Sequence, residues 1–256
     1  MNRSGNKIKP DTYQNWLKRP ATERLLALEA DWLRDTISAF RGLHLAYAGI
    51  DPTPHFLEAS RCHHVFRMAF PWQKGRVSRA LDCKDSHWPL ADESLDVVVL
   101  QHCLDMTRRP HQLIREACRC LVPNGYLVVV GFNPWSLWGV GRLAHAFSSE
   151  LPWVANPVAY NRLKDWLILL DSQVEQVRHV EHLWPLRLFS ERLSRRFDRV
   201  AANRSWLPGN GYLLISRKTI AGMTPIREKR WRHTHPGFTM PAPAVRQPQL
   251  RDDCNT

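Results

Sequence analysis

Gln101 and His102 follow directly on Leu95 to Leu100, an unbroken apolar run of the kind that forms a strand buried on both faces, so both fall at that strand's carboxyl end. Open α/β sheets bind ligands at that edge. A histidine there could serve as a general base or stand as a polar residue satisfied by its neighbours. A second group follows the next apolar run, where Phe132, Asn133, Pro134, Trp135, Ser136, Leu137, Trp138 and Gly139 are consecutive. Indole walls with one amide suit a flat or apolar ligand, which makes Asn133, Trp135 and Trp138 candidate substrate-binding residues; packing of the indoles on the next helix is the equal alternative. Earlier, Ala46, Tyr47, Ala48 and Gly49 form a stretch of mostly small residues ahead of Asp51. Small side chains let a ligand approach the backbone, although alanine lacks the easy access to positive φ that glycine has, and an ordinary strand-to-helix turn reads equally well. His63-His64 and His233-x-His235 have no acid or cysteine at ligand spacing, so no metal site is expected. The chain has no Gly-x-Ser-x-Gly elbow and no glycine-rich loop ending in lysine, which removes the common hydrolase and triphosphatase readings.

These candidates need a scaffold. Residues 12 to 40 carry Trp16, Leu17, Leu25, Leu26, Leu28, Trp32, Leu33 and Ile37 near helical spacing, which predicts a helical opening segment over residues 1–40, broken in two by Pro20. Leu43 to Ala48 predicts a strand, and Asp51-Pro52 the cap and first turn of a helix running toward Arg61. His64 to Ala69 predicts a second strand and Val77 to Leu81 a weak third. Leu95 to Leu100, Pro110 to Leu121 and Tyr126 to Phe132 then read as strand, helix and strand, with Pro123-Asn124-Gly125 as the turn between the last two. Ser136 to Phe147 and Asn161 to Leu170 predict helices, and Gln173 to Glu181 and Tyr212 to Arg217 predict strands. Asp96, near the start of a buried strand, needs hydrogen-bond partners, and backbone donors are expected.

Residues 88 to 131 carry more than a fold pattern. Trp88, Pro89, Leu90, Ala91, Asp92, Glu93, Ser94, Leu95, Asp96, Val97 and Val98 resemble the Leu-Pro-Phe-x-Asp-x-Ser-Phe-Asp-x-Val stretch of the type 11 branch of class I methyltransferases. Leu104-Asp105, Pro110, Arg115-Glu116, Arg119, Leu121, Pro123 and Gly125 continue the match in order and spacing. The resemblance implies an α/β, Rossmann-like three-layer sandwich over residues 41–220, with a mostly parallel seven-stranded sheet and an antiparallel final strand. It also implies S-adenosyl-L-methionine as cofactor. In this family a glycine-rich turn after the first strand meets the amino-acid end of the cofactor, which maps onto Ala46, Tyr47, Ala48 and Gly49, with alanines in place of two glycines. An acid at the end of the second strand would hold the ribose, and His64 to Ala69 offers none. An acid after the third strand would read the adenine amine, with Asp82 and Asp85 as candidates, Ser86 beside them and Asp85 favoured. Gln101 and His102 complete the implied cofactor set. Asn133-Pro134 is similar to the Asn-Pro-Pro-Tyr signature of amino-group methyltransferases but follows the wrong strand.

Composition bounds the rest. The 256 residues, 44% of them hydrophobic, are enough for one domain with a substantial core. No apolar run approaches the roughly 18 residues that span a bilayer and Met1 to Lys9 is polar, so the expected location is the cytoplasm. The six cysteines have no Cys-x-x-Cys pair and are expected to be buried or incidental thiols. Most of the net charge of +12 lies in residues 187 to 204 and 217 to 256. The first holds an amphipathic helix in which Phe189, Leu193, Phe197 and Val200 share a face and Arg192, Arg195, Arg196 and Arg199 lie on others. The second, from residue 221 onward, is rich in proline and charge and predicts a disordered basic tail. The leading expectation is methyl transfer to a small or medium-sized acceptor. The alternatives are a non-catalytic scaffold of the same fold, or an RNA-directed protein whose basic helix and tail meet RNA or another anionic surface.

Overall fold

The computed structural model describes residues 15–73, 80–136, 155–180 and 209–219. The chain divides into two compact units, Met1–Met223 and Thr224–Thr256, and every described residue belongs to the first. Trp138, most of the helix expected from Ser136, the basic helix around Phe189 to Ala202 and the tail lie outside the described residues.

Helix α1 spans Pro20–Ala39 and begins with proline at its first position, where the missing N–H costs nothing. Residues 15–17 are helical as well and a turn at Lys18-Arg19 separates them from α1, the interruption that Pro20 predicts. Leu25, Leu33 and Ile37 lie in one buried row of α1, and Glu29, only 1% exposed, stands in that same row.

Strands β1 (Arg41–Gly49), β2 (Arg61–Ala69), β3 (Ala80–Asp82), β4 (Leu95–Gln101), β5 (Leu121–Phe132), β6 (Ser172–Val180) and β7 (Gly211–Lys218) form one sheet in the order β3-β2-β1-β4-β5-β7-β6. Neighbours are parallel from β3 to β5, and β7 runs antiparallel to both β5 and β6. This is the mostly parallel seven-stranded sheet with a reversed final strand that the family resemblance implies.

Helices α2 (Cys103–Met106), α3 (Pro110–Cys120) and α4 (Tyr160–Leu169) follow β4 and precede β6. Leu113, Ile114 and Ala117 of α3 and Leu163 and Leu167 of α4 pack with Ala46, Ala48, Val98 and Leu100 on one face of the sheet. Leu33 and Ile37 of α1 pack with Leu45, Tyr47, Val97 and Val99 on the other. The alternation of β1 and β4 between the two cores follows from the two-residue period of a strand.

Three elements differ from expectation. The segment after Asp51 makes only a 3-10 turn, His55–Ala59. Pro52 and Pro54 lie two apart, and each disfavours the helical region for the residue before it, while the Asp51 carboxylate accepts from the Thr53 N–H at 2.8 Å and closes a local turn instead of capping a helix. The third strand is described over Ala80–Asp82 and runs one residue past the expected Val77 to Leu81, whose first three positions lie outside the described residues. Among the described residues, no α-helix lies between β1 and β4 in the chain.

The stretch that carried the resemblance is held by its own side chains. The Asp96 carboxylate accepts from the backbone N–H groups of Leu43 and His44, both at 2.9 Å, and so fastens β4 to β1 with the backbone donors it was expected to need. Arg119 donates to the carbonyls of Leu90 (3.0 Å) and Trp88 (3.3 Å) and to the carboxylates of Asp92 and Glu116, while Glu116 accepts from the Trp88 N–H at 3.0 Å. The approach loop 88–94 is thereby clamped onto α3. Asn124, with φ of 66°, and Gly125 lie inside β5, where the pairing with β4 jumps from Leu95–Leu121 to Val97–Tyr126, so the turn expected at 123–125 is a bulge within the strand.

Candidate functional site

β1 and β4 end side by side, with Gly49 opposite Gln101, and the groups that could do chemistry gather at this carboxyl edge. His102 continues the sheet by donating its backbone N–H to the Val130 carbonyl at 2.8 Å. It then turns the chain with φ of 56°, a left-handed conformation unusual for a side chain of its size. Its ring is fully buried and held at both nitrogens, Nε2 against Glu29 Oε1 and Nδ1 against Asp105 Oδ2, each at 2.8 Å. The second Glu29 oxygen accepts from Gln101 Nε2 at 2.7 Å, and Gln101 Oε1 accepts from the Tyr47 hydroxyl at 2.6 Å. Asp105 Oδ2 also accepts from the Phe132 N–H at 3.0 Å. A chain of polar groups thus runs from β1 through β4 and α1 to the end of β5, where the Phe132 ring lies against the His102 ring at 4.1 Å between centroids and a 35° tilt.

The electrostatics follow from this geometry. Burial alone would drive a proton off His102, but the carboxylates of Glu29 and Asp105 on either side outweigh it and hold the imidazolium pKa up to about 10. Burial raises the Asp105 pKa, opposed by its bond to His102. Both His102 nitrogens face carboxylates, so its side chain is an internal charged brace.

The stretch of small residues behaves differently on its two faces. Ala46 and Ala48 are buried in the core under α3, and the Ala48 carbonyl accepts from the Cys103 thiol at 3.2 Å. At Gly49 a Cβ would stand 2.3 Å from the Tyr47 hydroxyl oxygen and 2.7 Å from Gln101 Cβ, so here glycine makes room for protein side chains. The Gly49 carbonyl accepts from Gln73 Nε2 at 2.5 Å. Beyond β2, where no acid was found, the chain offers Phe70, Pro71, Trp72 and the buried amide of Gln73.

After β3, Asp82 is exposed and Ser86 bonds its neighbour His87 at 3.0 Å. Asp85 is set apart from them. Thr107 Oγ1 donates to Asp85 Oδ2 at 2.5 Å, while Asp85 Oδ1 is buried with no hydrogen-bond partner among the described residues. A buried carboxylate oxygen left unmatched costs roughly 1–3 kcal/mol or more, and the described residues supply no donor for it.

After β5, Asn133 is buried and spends its amide on the fold, donating from Nδ2 to the Gly209 carbonyl (3.0 Å) and accepting from the Trp135 N–H (3.1 Å). Trp135 is 76% exposed. It borders a cleft of about 900 Å³ between the first turns of α3 and α4.

Sequence reasoning missed Glu29, Gln73, Asp105 and Thr107 as site residues. Glu29 had a legible signal, an acid spaced four residues from Leu25 and from Leu33 on an apolar helix row. Gln73 and Thr107 had none. The five described cysteines are buried free thiols, and burial pushes Cys83 up to about 12 and Cys118 and Cys120 up to about 11, which keeps them protonated and unreactive.

A sheet in the order 3-2-1-4-5-7-6 with strand seven reversed, and polar groups collected at its carboxyl edge, defines a protein of class I methyltransferase fold. Residues 35–129 match the family model for the methyltransferase domain. The uncharacterized protein YafS of Escherichia coli (strain K12) is 41% identical over 88 residues, 34% of this chain and 37% of the relative, so the match spans little over a third of that protein. Among solved structures, a SAM-dependent methyltransferase of Archaeoglobus fulgidus superposes with a TM-score of 0.53 at 19% identity, covering 75% of this chain and 94% of the other. A SAM-dependent methyltransferase of Thermotoga maritima, a possible histamine N-methyltransferase, gives a TM-score of 0.52 at 14% identity over 82% of this chain and 96% of the other. The resemblance to the type 11 branch of class I methyltransferases, carried by residues 88 to 131, is thus supported by the family model and the fold alike. No described helix is long and apolar enough to cross a membrane.

Proposed function

We propose that this chain is an S-adenosyl-L-methionine-dependent methyltransferase acting on a small or medium-sized acceptor. The observation that carries this reading is Asp85, whose buried Oδ1 has no described partner at the edge where the family reads adenine, and whose other oxygen is fixed by Thr107. That oxygen is an acceptor suited to an exocyclic amine. The backbone at Ala48 and Gly49 stands where the family's turn after the first strand meets the amino-acid end of the cofactor, and the Gln101 and His102 side chains, tied to Glu29, brace the edge. Bound, the cofactor supplies an electrophilic sulfonium methyl; the protein's part is to align it with the acceptor and exclude water.

Methyl transfer needs no particular catalytic side chain, so binding is the decisive measurement. S-adenosylhomocysteine at 100 times its dissociation constant adds roughly 2.7 kcal/mol and raises the melting temperature by roughly 5–10 °C for a domain of this size. Adenosine binds more tightly than inosine, which lacks the amine, and Asp85→Asn removes that preference and about one to two orders of magnitude of affinity.

A second reading, a scaffold that has kept the fold and lost the cofactor, is favoured by the β1 turn, where Tyr47, Gln101 and Gln73 close on Gly49 from within the protein. Flat calorimetric and melting curves at millimolar S-adenosylmethionine decide for the scaffold.

A further inference from the structure

The cleft between the first turns of α3 and α4 is a charged feature that the polar chain around His102 does not use. It opens on the carboxyl edge of the sheet, holds about 900 Å³, and brings Arg108, Arg109, His111, Trp135, Arg162 and Trp166 to one space from three stretches of sequence. The Arg162 guanidinium lies 5.3 Å from the centre of the Trp166 ring, and His111 meets the same ring edge-on at 5.4 Å, so the cationic wall is backed by an indole. Arg108, Arg109 and Arg162 form no ion pair among the described residues. The one carboxylate on the lining, Asp165, is exposed and forms none either, which leaves a cationic excess in the cleft. Arg109 and Ala159, the N-cap residues of α3 and α4, give no side-chain cap, so both helix dipoles add positive potential at the same place. Trp135 lines the same cleft and is exposed, a large apolar surface that water covers at a cost.

We propose that this cleft binds a small acceptor bearing a carboxylate or phosphate on an apolar or aromatic body. The guanidiniums take the anion with bidentate geometry, and the Trp135 indole takes the body. The volume is that of a small-molecule site, and the charges converge on one pocket, whereas a nucleic-acid backbone calls for a stripe of them. Thr107 lines the cleft and is also the residue that fixes Asp85, so a ligand here adjoins the adenine-reading carboxylate of the proposed cofactor site. The naming of this ligand as the methyl acceptor rests on the methyltransferase reading; the anion site does not.

The test is calorimetric titration of the full chain with phenyl phosphate, benzoate, inorganic phosphate and neutral phenol. Phenyl phosphate or benzoate saturates a single site at least tenfold more tightly than phenol, and the stronger of the two identifies the anionic group. The variant Arg109→Gln/Arg162→Gln weakens that binding at least tenfold and leaves S-adenosylhomocysteine binding unchanged. The charge-matched variant Arg61→Gln/Arg115→Gln, altered at exposed positions outside the cleft, leaves both unchanged. Equal binding of phenol and phenyl phosphate, or equal loss in the two double variants, overturns the proposal. So does a 20-nucleotide RNA that displaces phenyl phosphate and loses affinity in the cleft variant, an outcome that assigns the arginines to a phosphate backbone. Anion binding without S-adenosylhomocysteine binding retains the site and ends the methyltransferase reading; the converse ends only the site.

Discussion

Glu29, His102 and Asp105 form a buried group of three charges whose members lie up to 76 residues apart in the chain. Removing one partner leaves an uncompensated charge out of water, so Glu29→Ala is expected to cost about 3–5 kcal/mol in urea denaturation. The group also sets a pH dependence. Histidine in the unfolded chain titrates near 6.5, and in the fold its pKa is about 10. Its contribution to stability is therefore complete below pH 6.5 and is lost as the pH rises to about 10. The raised Asp105 pKa has the same sign, since its proton too is held better by the folded state. Thermal denaturation between pH 6.5 and 10 should show a fall in melting temperature that is blunted in His102→Asn, a substitution that tolerates the left-handed backbone. Parallel curves for the two proteins would mean that His102 is neutral in the folded state.

The junction of β1 and β4 makes a prediction at the scale of elements. Asp96 satisfies two backbone donors of β1, and at Gly42 a Cβ would stand 2.4 Å from Asp96 Cβ, so the aspartate lies flat on a residue without a side chain. Asp96→Ala should cost about 1–3 kcal/mol by leaving those N–H groups without their acceptor. Gly42→Ala should be costly in the wild type because the clash involves the start of a side chain and cannot be relieved by rotation. In a double-mutant cycle Gly42→Ala and Asp96→Gly should be less than additive, since glycine at 96 removes both the Cβ and the carboxyl group that crowd the new methyl. Strict additivity would show that strand pairing here does not depend on the contact. The pattern of residues 88 to 131 is explained at this scale as well: Asp96, Glu116 and Arg119 are fold-making groups, and their presence speaks for architecture ahead of activity.

At the scale of the whole molecule, the sheet and its helices close within Met1–Met223, and the remaining 33 residues, Thr224–Thr256, form a separate unit. The prolines and charges of that tail leave little apolar surface to contribute to a core. Deletion of residues 224–256 is expected to leave the melting temperature within about 2 °C of the full chain, a shift that corresponds to less than about 1 kcal/mol. A drop of 10 °C or unfolding of the truncated chain would give the tail a structural part.

The sequence by itself determined the β4–α3–β5 unit, the strand content of the sheet and the family resemblance, because alternation, helical spacing and turn residues act over a few neighbours and survive in one dimension. It also singled out Asp96 as a residue in need of donors, which the β1 backbone supplies. It did not reveal that Ala46 and Ala48 would be core, that Gly49 would accommodate Tyr47 and Gln101, or that Glu29 would reach His102. Periodicity reports that a position is buried and is silent on what it is buried against. The site depends on how α1 is seated across the sheet edge, and the cleft on how the ends of β4 and β5 and the start of α4 meet. Those contacts join distant stretches of chain, so only the tertiary structure decides them.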